Sequence, residues 1–407
     1  MIRLFVTALL LAVSLATVKG NDSRELEILP ADGETFQKAV FSFWLSENEK
    51  PVKAVIIHQH GCTNASPEKH PPITGDFHWQ ALARKHNCAL LCPQYFVTGS
   101  CAEWNDPDSG SERALFTALD HFASASGHPE LSEVPWVLWG HSGGSSWSSQ
   151  MIVRHPERVV TALFRGGSSK QFGDPAFRGK FLTSARDIPL LFVWGKRESV
   201  PQSRHFVSWN PMNTMFRELR SQGGKVTRLI DPDSEHGCDN SRLVVIPYFD
   251  AILAGKTQPG ELMDIEKREK VELTADSLRD PSFTWLPNAE IAGIWKHFSE
   301  TGKLPTHQSP QTAPVLHIDR GGENQIQLSW KVYPELVGGL RSYRIYRDGE
   351  LWKEMGPKPG EAIATSRDAT PESLRNSSIT VSDAATYSVT FTDAAGNESP
   401  KSTRVRK

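Results

Sequence analysis

The chain has 407 residues, enough at ~100–200 residues per domain for two or three domains and for one large buried core. Lys and Arg number 45 against 47 Asp and Glu, a formal net charge of -2 at pH 7. The basic excess that draws a protein to nucleic acid or to an anionic membrane surface is therefore missing, and a neutral or weakly charged small molecule or polymer fits the balance better.

Arg3 precedes an apolar stretch from Leu4 to Val18 that ends among Ser14, Ala16 and Gly20, the pattern of a secretory signal peptide over residues 1–20. The stretch is shorter than the ~20 apolar residues of a spanning helix, and Lys19 followed by Asn21, Asp22 and Ser23 closes it. No later segment is long and apolar enough to insert into a bilayer, so a secreted or periplasmic location is expected. Export permits disulfides, and the five cysteines, Cys62, Cys88, Cys92, Cys101 and Cys238, leave at least one unpaired within a monomer. Cys88 and Cys92 on one extended strand would lie too far apart to join each other.

Near-continuous apolar runs follow at Ala54–Ile57, Ala89–Leu91, Trp136–Trp139, Val159–Phe164 and Leu190–Trp194, as strands covered on both faces should read, and Lys225–Ile230 reads as the last core strand. Between them Leu115, Leu119 and Phe122 recur at helical spacing behind candidate caps at Ser109 or Ser111, and Met215, Phe216 and Leu219 repeat the pattern. This alternation predicts an α/β domain over 21–304, a mostly parallel sheet flanked by helices, ending at a Pro-rich linker over 305–310. Beyond it, Ile326–Trp330 and Tyr343–Tyr346 alternate with period two, Asp348-Gly349 signals a hairpin, and Thr386–Phe391 adds another strand. These features predict an all-β sandwich over 311–407 with Trp330 and Tyr387 in its core. The segment resembles a fibronectin type III module, which implies a spacer or a surface for contact with a polymer or another surface.

The sharpest motif is Gly140-His141-Ser142-Gly143-Gly144, of the form G-x-S-x-G. Its composition alone would produce it by chance in roughly one chain in ten of this length; its context is more selective. Trp136–Trp139 before it reads as a buried strand and the stretch through Met151–Val153 as a helix, the strand, tight turn and helix that hold a nucleophilic serine strained and exposed. Ser145, Ser146, Ser148 and Ser149 then fall inside the helix as structural residues. On this order of elements the chain resembles the α/β-hydrolase superfamily, over about residues 25–255. The resemblance implies catalytic residues in the order nucleophile, acid, histidine. His236, in the loop after the strand ending at Ile230, occupies the place of the general base, whereas His58, His60, His121 and His141 precede or adjoin the nucleophile. For the acid, the resemblance points to the loop after Leu190–Trp194, where Glu198 stands; Asp174, Asp231 and Asp233 are alternatives, and Lys196 and Arg197 offer Glu198 a surface ion pair instead. The stretch His60-Gly61-Cys62-Thr63 looks like the loop of polyhydroxyalkanoate depolymerases and related feruloyl esterases, although Asn64 stands where those have Gln. It implies an oxyanion hole from the backbone N–H groups of Cys62 and Gly143.

Such a set implies a serine hydrolase acting on carboxylic esters: Ser142 attacks the acyl carbonyl, His236 takes its proton, and water then releases the acyl group. This chemistry requires no metal and no organic cofactor. Segments at 70–79, 93–109 and 166–186 are expected to overhang the site, with Trp104, Trp147 and Trp209 as candidate aromatic walls for a sugar, phenolic or apolar group. Secretion plus a β-module favours a carbohydrate or plant-wall ester first and a polyester second. Two other readings share these features: a secreted serine peptidase of the same fold, and a catalytically inactive hydrolase-like binding or adhesion protein. A hydrolase domain with its own core should keep cleaving small soluble esters after removal of the residues beyond about Leu304.

Overall fold

A computed structural model describes residues 23–47, 50–62, 72–237, 240–257, 259–320, 325–357, 362, 364, 368, 371–381 and 385–406. The proposed signal segment, Cys238, Thr63 and Asn64 lie outside the described residues. Eight strands form the main sheet: β1 (Ser23–Ile28), β2 (Lys38–Trp44), β3 (Ala54–Gln59), β4 (Cys88–Phe96), β5 (Trp136–His141), β6 (Val159–Arg165), β7 (Leu190–Gly195) and β8 (Val226–Asp231). Their spatial order is β1-β2-β4-β3-β5-β6-β7-β8. β1 and β2 pair antiparallel, β2 meets β4 antiparallel, and every pairing from β4 onward is parallel. This is the α/β-hydrolase fold expected from the alternation of strands and helices.

The apolar runs read as they do because the sheet has two dry faces. Val55 and Ile57 of β3 enter one core layer with α2 (Ser111–Ser126), α3 (Gly143–Arg154), α5 (Pro175–Ala185) and α6 (Phe206–Ser221). Ala54 and Ile56 enter the other layer with α1 (Phe77–His86), α7 (Arg242–Leu253) and α8 (Ala289–Thr301); α4 is a short turn at Ser169–Gly173. The helical spacing of Leu115, Leu119 and Phe122 buries one stripe of α2. Its cap differs from expectation: Gly110, at φ 104°, occupies the N-cap, and Ser111 instead accepts a hydrogen bond on Oγ from the Trp147 indole at 3.1 Å. A small antiparallel sheet, β10-β9-β11 (Lys270–Val271, Glu261–Asp264, Phe283–Leu286), extends the second layer through Leu262, Trp285 and Leu286.

The C-terminal part is a sandwich of two antiparallel sheets. One has the order β12-β13-β16 (Val315–Arg320, Ile326–Lys331, Ser378–Val381), the other β15-β14-β17-β18 (Glu350–Met355, Ser342–Arg347, Thr386–Thr392, Val405–Arg406). Trp330 and Tyr387 lie in the core between them, as their period-two placement predicts.

The seam between the two parts is held by buried charges. Arg242, at the start of α7, donates from Nη1 to Asp76 at 2.9 Å and from Nε to Asp368 at 2.5 Å, and all three side chains are buried. Asp76 also caps α1, accepting the His78 and Trp79 N–H groups, while the Trp79 indole donates to Asp368 at 3.0 Å. Arg84 lies over the Tyr333 ring at 4.0 Å, and Leu336, Val337 and Ala394 pack on the core of the α/β part. Truncation beyond Leu304 would thus bare Trp79 and a buried cation, not a surface made for water. This counts against the expectation of a freely separable α/β domain. Arg242→Met should destabilise the full chain by about 3–5 kcal/mol, because it strands two buried carboxylates without their shared cation. Denaturant unfolding monitored by tryptophan fluorescence would measure it, and a loss below about 1 kcal/mol would mean the seam is open to water.

Candidate active site

β5 ends at His141 and α3 starts at Gly143, leaving Ser142 in the turn with φ 52° and ψ −113°. A non-glycine residue there costs on the order of 1–3 kcal/mol and persists where surrounding structure over-determines it. Here the Ser142 N–H donates to the Arg165 carbonyl at 2.8 Å, while its own carbonyl accepts from Ser145 and Ser146 at 3.0 and 3.2 Å. Serine is a favoured helix cap, yet the Ser142 side chain does not cap α3, which leaves its hydroxyl uncommitted to the helix. A Cβ on Gly144 would overlap the carbonyl oxygens of Gln59 and His60, so the first turn of α3 rides directly on the end of β3 and requires glycine. Ser145, Ser148 and Ser149 are buried, as structural residues should be.

Gly143 is the first residue of α3, where the backbone N–H has no carbonyl one turn earlier and the helix dipole favours negative charge. A Cβ built on it would lie 3.3 Å from the Cys62 nitrogen and 2.5 Å from the Cys62 Sγ, so the Cys62 backbone abuts the helix start. Cys62 is joined to Cys101 by a disulfide, which ties the loop after β3 to the 93–109 segment. Cys88 and Cys92 are free and buried.

Across the turn, His236 Nδ1–H donates to Glu198 Oε1 at 2.6 Å. Glu198, fully buried in the turn after β7, accepts on Oε2 from the Gly195 N–H at 2.8 Å and from Arg165 Nη1 at 3.2 Å. The surface pairing with Lys196 or Arg197 is therefore not what holds it. Arg165, also fully buried, donates from Nη2 to Ser234 Oγ at 3.0 Å and to the Glu235 carbonyl at 2.8 Å. Burial pushes the Glu198 carboxyl up, but the His236 hydrogen bond, the Arg165 and His236 charges and the Gly195 N–H outweigh it and hold it below the usual carboxylate range. Gly166, at φ 55°, faces this pair so closely that a Cβ there would sit 2.8 Å from Glu198 Oε1 and 2.9 Å from His236 Nδ1. His141 Nε2–H donates to the His236 carbonyl at 2.6 Å, fastening the histidine loop to the residue beside Ser142.

The other candidates are elsewhere or otherwise engaged. Asp174 is exposed and caps α5 through the Ala176 N–H; Asp231 accepts the Asp233 N–H at 3.1 Å in a local turn; Asp233 is exposed. His58 stacks on Trp139 at 3.8 Å, and burial pushes its imidazole down to about 3. His60 accepts the Tyr95 N–H, and His121 packs beside Phe122 on α2. The aromatic wall is corrected in two places: Trp104 and Trp147 are fully buried core residues, Trp104 stacked on Tyr95. Trp209 is half-buried against Trp194. Sequence reasoning missed Arg165, whose one signal is a cation ending the apolar run Val159–Phe164, and His205, whose ring lies on His236. Among the described residues no group of three or more His, Cys, Asp or Glu is arranged to hold a metal ion, and no helix is long and apolar enough to cross a membrane.

No family model matches the chain, and no curated protein matches it. Among solved structures, the chain is similar to the poly(aspartic acid) hydrolase-1 of Sphingomonas sp. KT-1, with 13% identity over 53% of this chain and 93% of that one, at a TM-score of 0.36. A poly(3-hydroxybutyrate) depolymerase, LpqC, from Bordetella parapertussis shows 13% identity over 57% and 86%, TM-score 0.36. A thermostable carboxyl esterase from Bacillus coagulans shows 13% over 58% and 98%, TM-score 0.37. The fold assignment rests on the strand order and register above.

Because the folded Glu198 carboxyl lies below its unfolded value of ~4.3, it binds fewer protons in the native state. Its contribution to stability is present above that pH and is lost as pH falls through the folded value. Arg165→Met removes one of the groups that hold the carboxylate ionised. The acid unfolding transition, followed by circular dichroism, should move to higher pH in that variant, and stability at pH 7 should fall by about 3–5 kcal/mol. An unmoved transition would show that Arg165 does not sustain the buried charge.

Proposed function

We propose that this chain is a serine hydrolase cleaving carboxylic esters through an acyl-enzyme intermediate, with Ser142 as nucleophile, His236 as general base and Glu198 as the acid that orients it. The observation that carries the reading is the strained, uncapped Ser142 at the β5–α3 turn, whose neighbour His141 is bonded to the carbonyl of a histidine whose Nδ1 is engaged by a buried carboxylate. In this mechanism Ser142 Oγ adds to the acyl carbonyl as its proton passes to His236 Nε2. Glu198 stabilises the imidazolium, and the N–H groups of Gly143 and Cys62 receive the oxyanion. His236 then returns the proton to the leaving alcohol, and activates the water that frees the acyl group and restores Ser142.

The working division is a signal peptide over 1–20, a catalytic domain over 21–304, a linker over 305–310 and a fibronectin type III-like module over 311–407. The β12-β13-β16 and β15-β14-β17-β18 pairing of sheets supports the last. The Cys62–Cys101 disulfide favours a secreted or periplasmic setting. A carbohydrate or plant-wall ester is the first substrate class, a polyester the second, with the β-module contacting the polymer.

Ser142→Ala should abolish both ester hydrolysis and labelling by a serine-directed phosphonate, a loss of up to ~10⁶ in rate, with an unchanged unfolding midpoint. Glu198→Gln should cost up to about 10⁴, while Asp174→Asn, Asp231→Asn and Asp233→Asn stay within about tenfold of the parent. A panel of acetylated sugars, feruloyl esters and short-chain acyl esters, run against matched amides, reads the outcome. Labelling retained in Ser142→Ala would end the assignment, and faster amide than ester cleavage would make the protein a peptidase.

A further inference from the structure

His205, immediately before α6, lays its ring flat on that of His236, with centroids 3.6 Å apart and planes 4° apart. Its side chain does not cap the helix. Arg204 Nε–H donates to His205 Nε2 at 2.8 Å, and since a guanidinium has donors alone, that nitrogen must offer a lone pair. The His205 proton is thereby confined to Nδ1 and the ring is neutral. On its other sides His236 meets Glu198 through Nδ1, and the His141 ring at 4.9 Å and 47°. The His236 ring, whose last torsion is intrinsically broad, is thus flanked by a carboxylate and two imidazoles.

We propose that His205 is a positioning residue for the general base: a neutral platform, locked in one tautomer by Arg204, that fixes where His236 Nε2 points and keeps the imidazolium charge on His236. The inference rests on the reading of His236 as general base. The charged and titratable groups facing His205 are His236, Arg204, Glu198 and Glu235; burial first, then the His236 and Arg204 charges, lower its proton affinity, and the two carboxylates oppose them. A neutral ring on an imidazolium is attractive in the manner of a cation over an aromatic face, whereas two stacked cations would repel.

The test uses the full chain. A group displaced by ~1 Å can cost up to 10²-fold; for the partial release expected here, His205→Ala should lower kcat about tenfold and leave KM within about twofold. His205→Phe, which restores a neutral ring, should recover kcat to within about threefold of the parent. Arg204→Met frees Nε2 for protonation, so the acidic limb of the kcat profile should change from a one-proton to a two-proton dependence. Independently of activity, the His236 Hε1 resonance should move downfield in His205→Ala as the ring above it is removed. A kcat within twofold in His205→Ala, no recovery in His205→Phe, or an unmoved Hε1 resonance would each overturn the proposal. A parent chain that hydrolyses no ester yet shows the Hε1 shift overturns the general-base reading and the positioning role with it, while leaving the stack itself observed.

Discussion

The buried ion pair between Arg165 and Glu198 is the constraint on which the site depends. A carboxylate taken wholly out of water must find a counter-charge and donors or take up a proton, and Glu198 finds them in Arg165, the Gly195 N–H and His236. The guanidinium that neutralises it also grips Ser234 Oγ and the Glu235 carbonyl. One side chain therefore ties the end of β6 to the loops after β7 and β8. The register of three adjacent parallel strands becomes, at their carboxyl ends, the relative position of an acid and a histidine. Gly166 and the elbow at Ser142 complete this by letting backbone approach where a side chain would intrude.

A second buried charge, Arg242, plays the matching part at the seam with the β-sandwich. It stands near the start of the helix that follows the His236 loop, so the placement of that loop and the docking of the module share one short segment of chain. Asp76 meets the same cation and also caps α1. The two parts of the molecule are thus joined through side chains that water does not reach, a firmer arrangement than the polar contacts common between tethered domains.

The strands were legible because burial on both faces leaves continuous apolar runs, and Ser142 because strand, glycine turn and helix coincide in sequence. Glu198 was legible through the order of elements, not through its neighbours: Lys196 and Arg197 beside it suggested a surface pair, while its true partner lies 33 residues earlier. Arg165 reads locally as the polar end of a strand, and nothing in its immediate sequence tells that it is sealed inside. Trp104 and Trp147 misled for the opposite reason. A large aromatic near a presumed loop or helix surface looks available, but the core between sheet and helices claims it. The cap of α2 fell to Gly110 because the chain there turns through a positive φ that Ser109 and Ser111 would adopt at a cost. The strands β1 and β2 and the small β9–β11 sheet escaped notice although β1 pairs with its chain neighbour β2 and β9 with its neighbour β10; only β2 against β4 and β9 against β11 join across longer stretches of chain.

The cysteines carry a consequence for biogenesis. Cys88 and Cys92 sit on β4 in the middle of the main sheet, and burial pushes both thiols up to about 12, which starves them of the thiolate that oxidants and mixed disulfides need. In an unfolded chain under oxidising conditions they would be as reactive as Cys62 and Cys101 and could capture either one. Correct pairing is therefore a matter of timing. Closing the sheet around β4 before oxidation withdraws Cys88 and Cys92 from the pool of reactive thiols, whereas a chain oxidised too early could be trapped with this strand cross-linked to a loop.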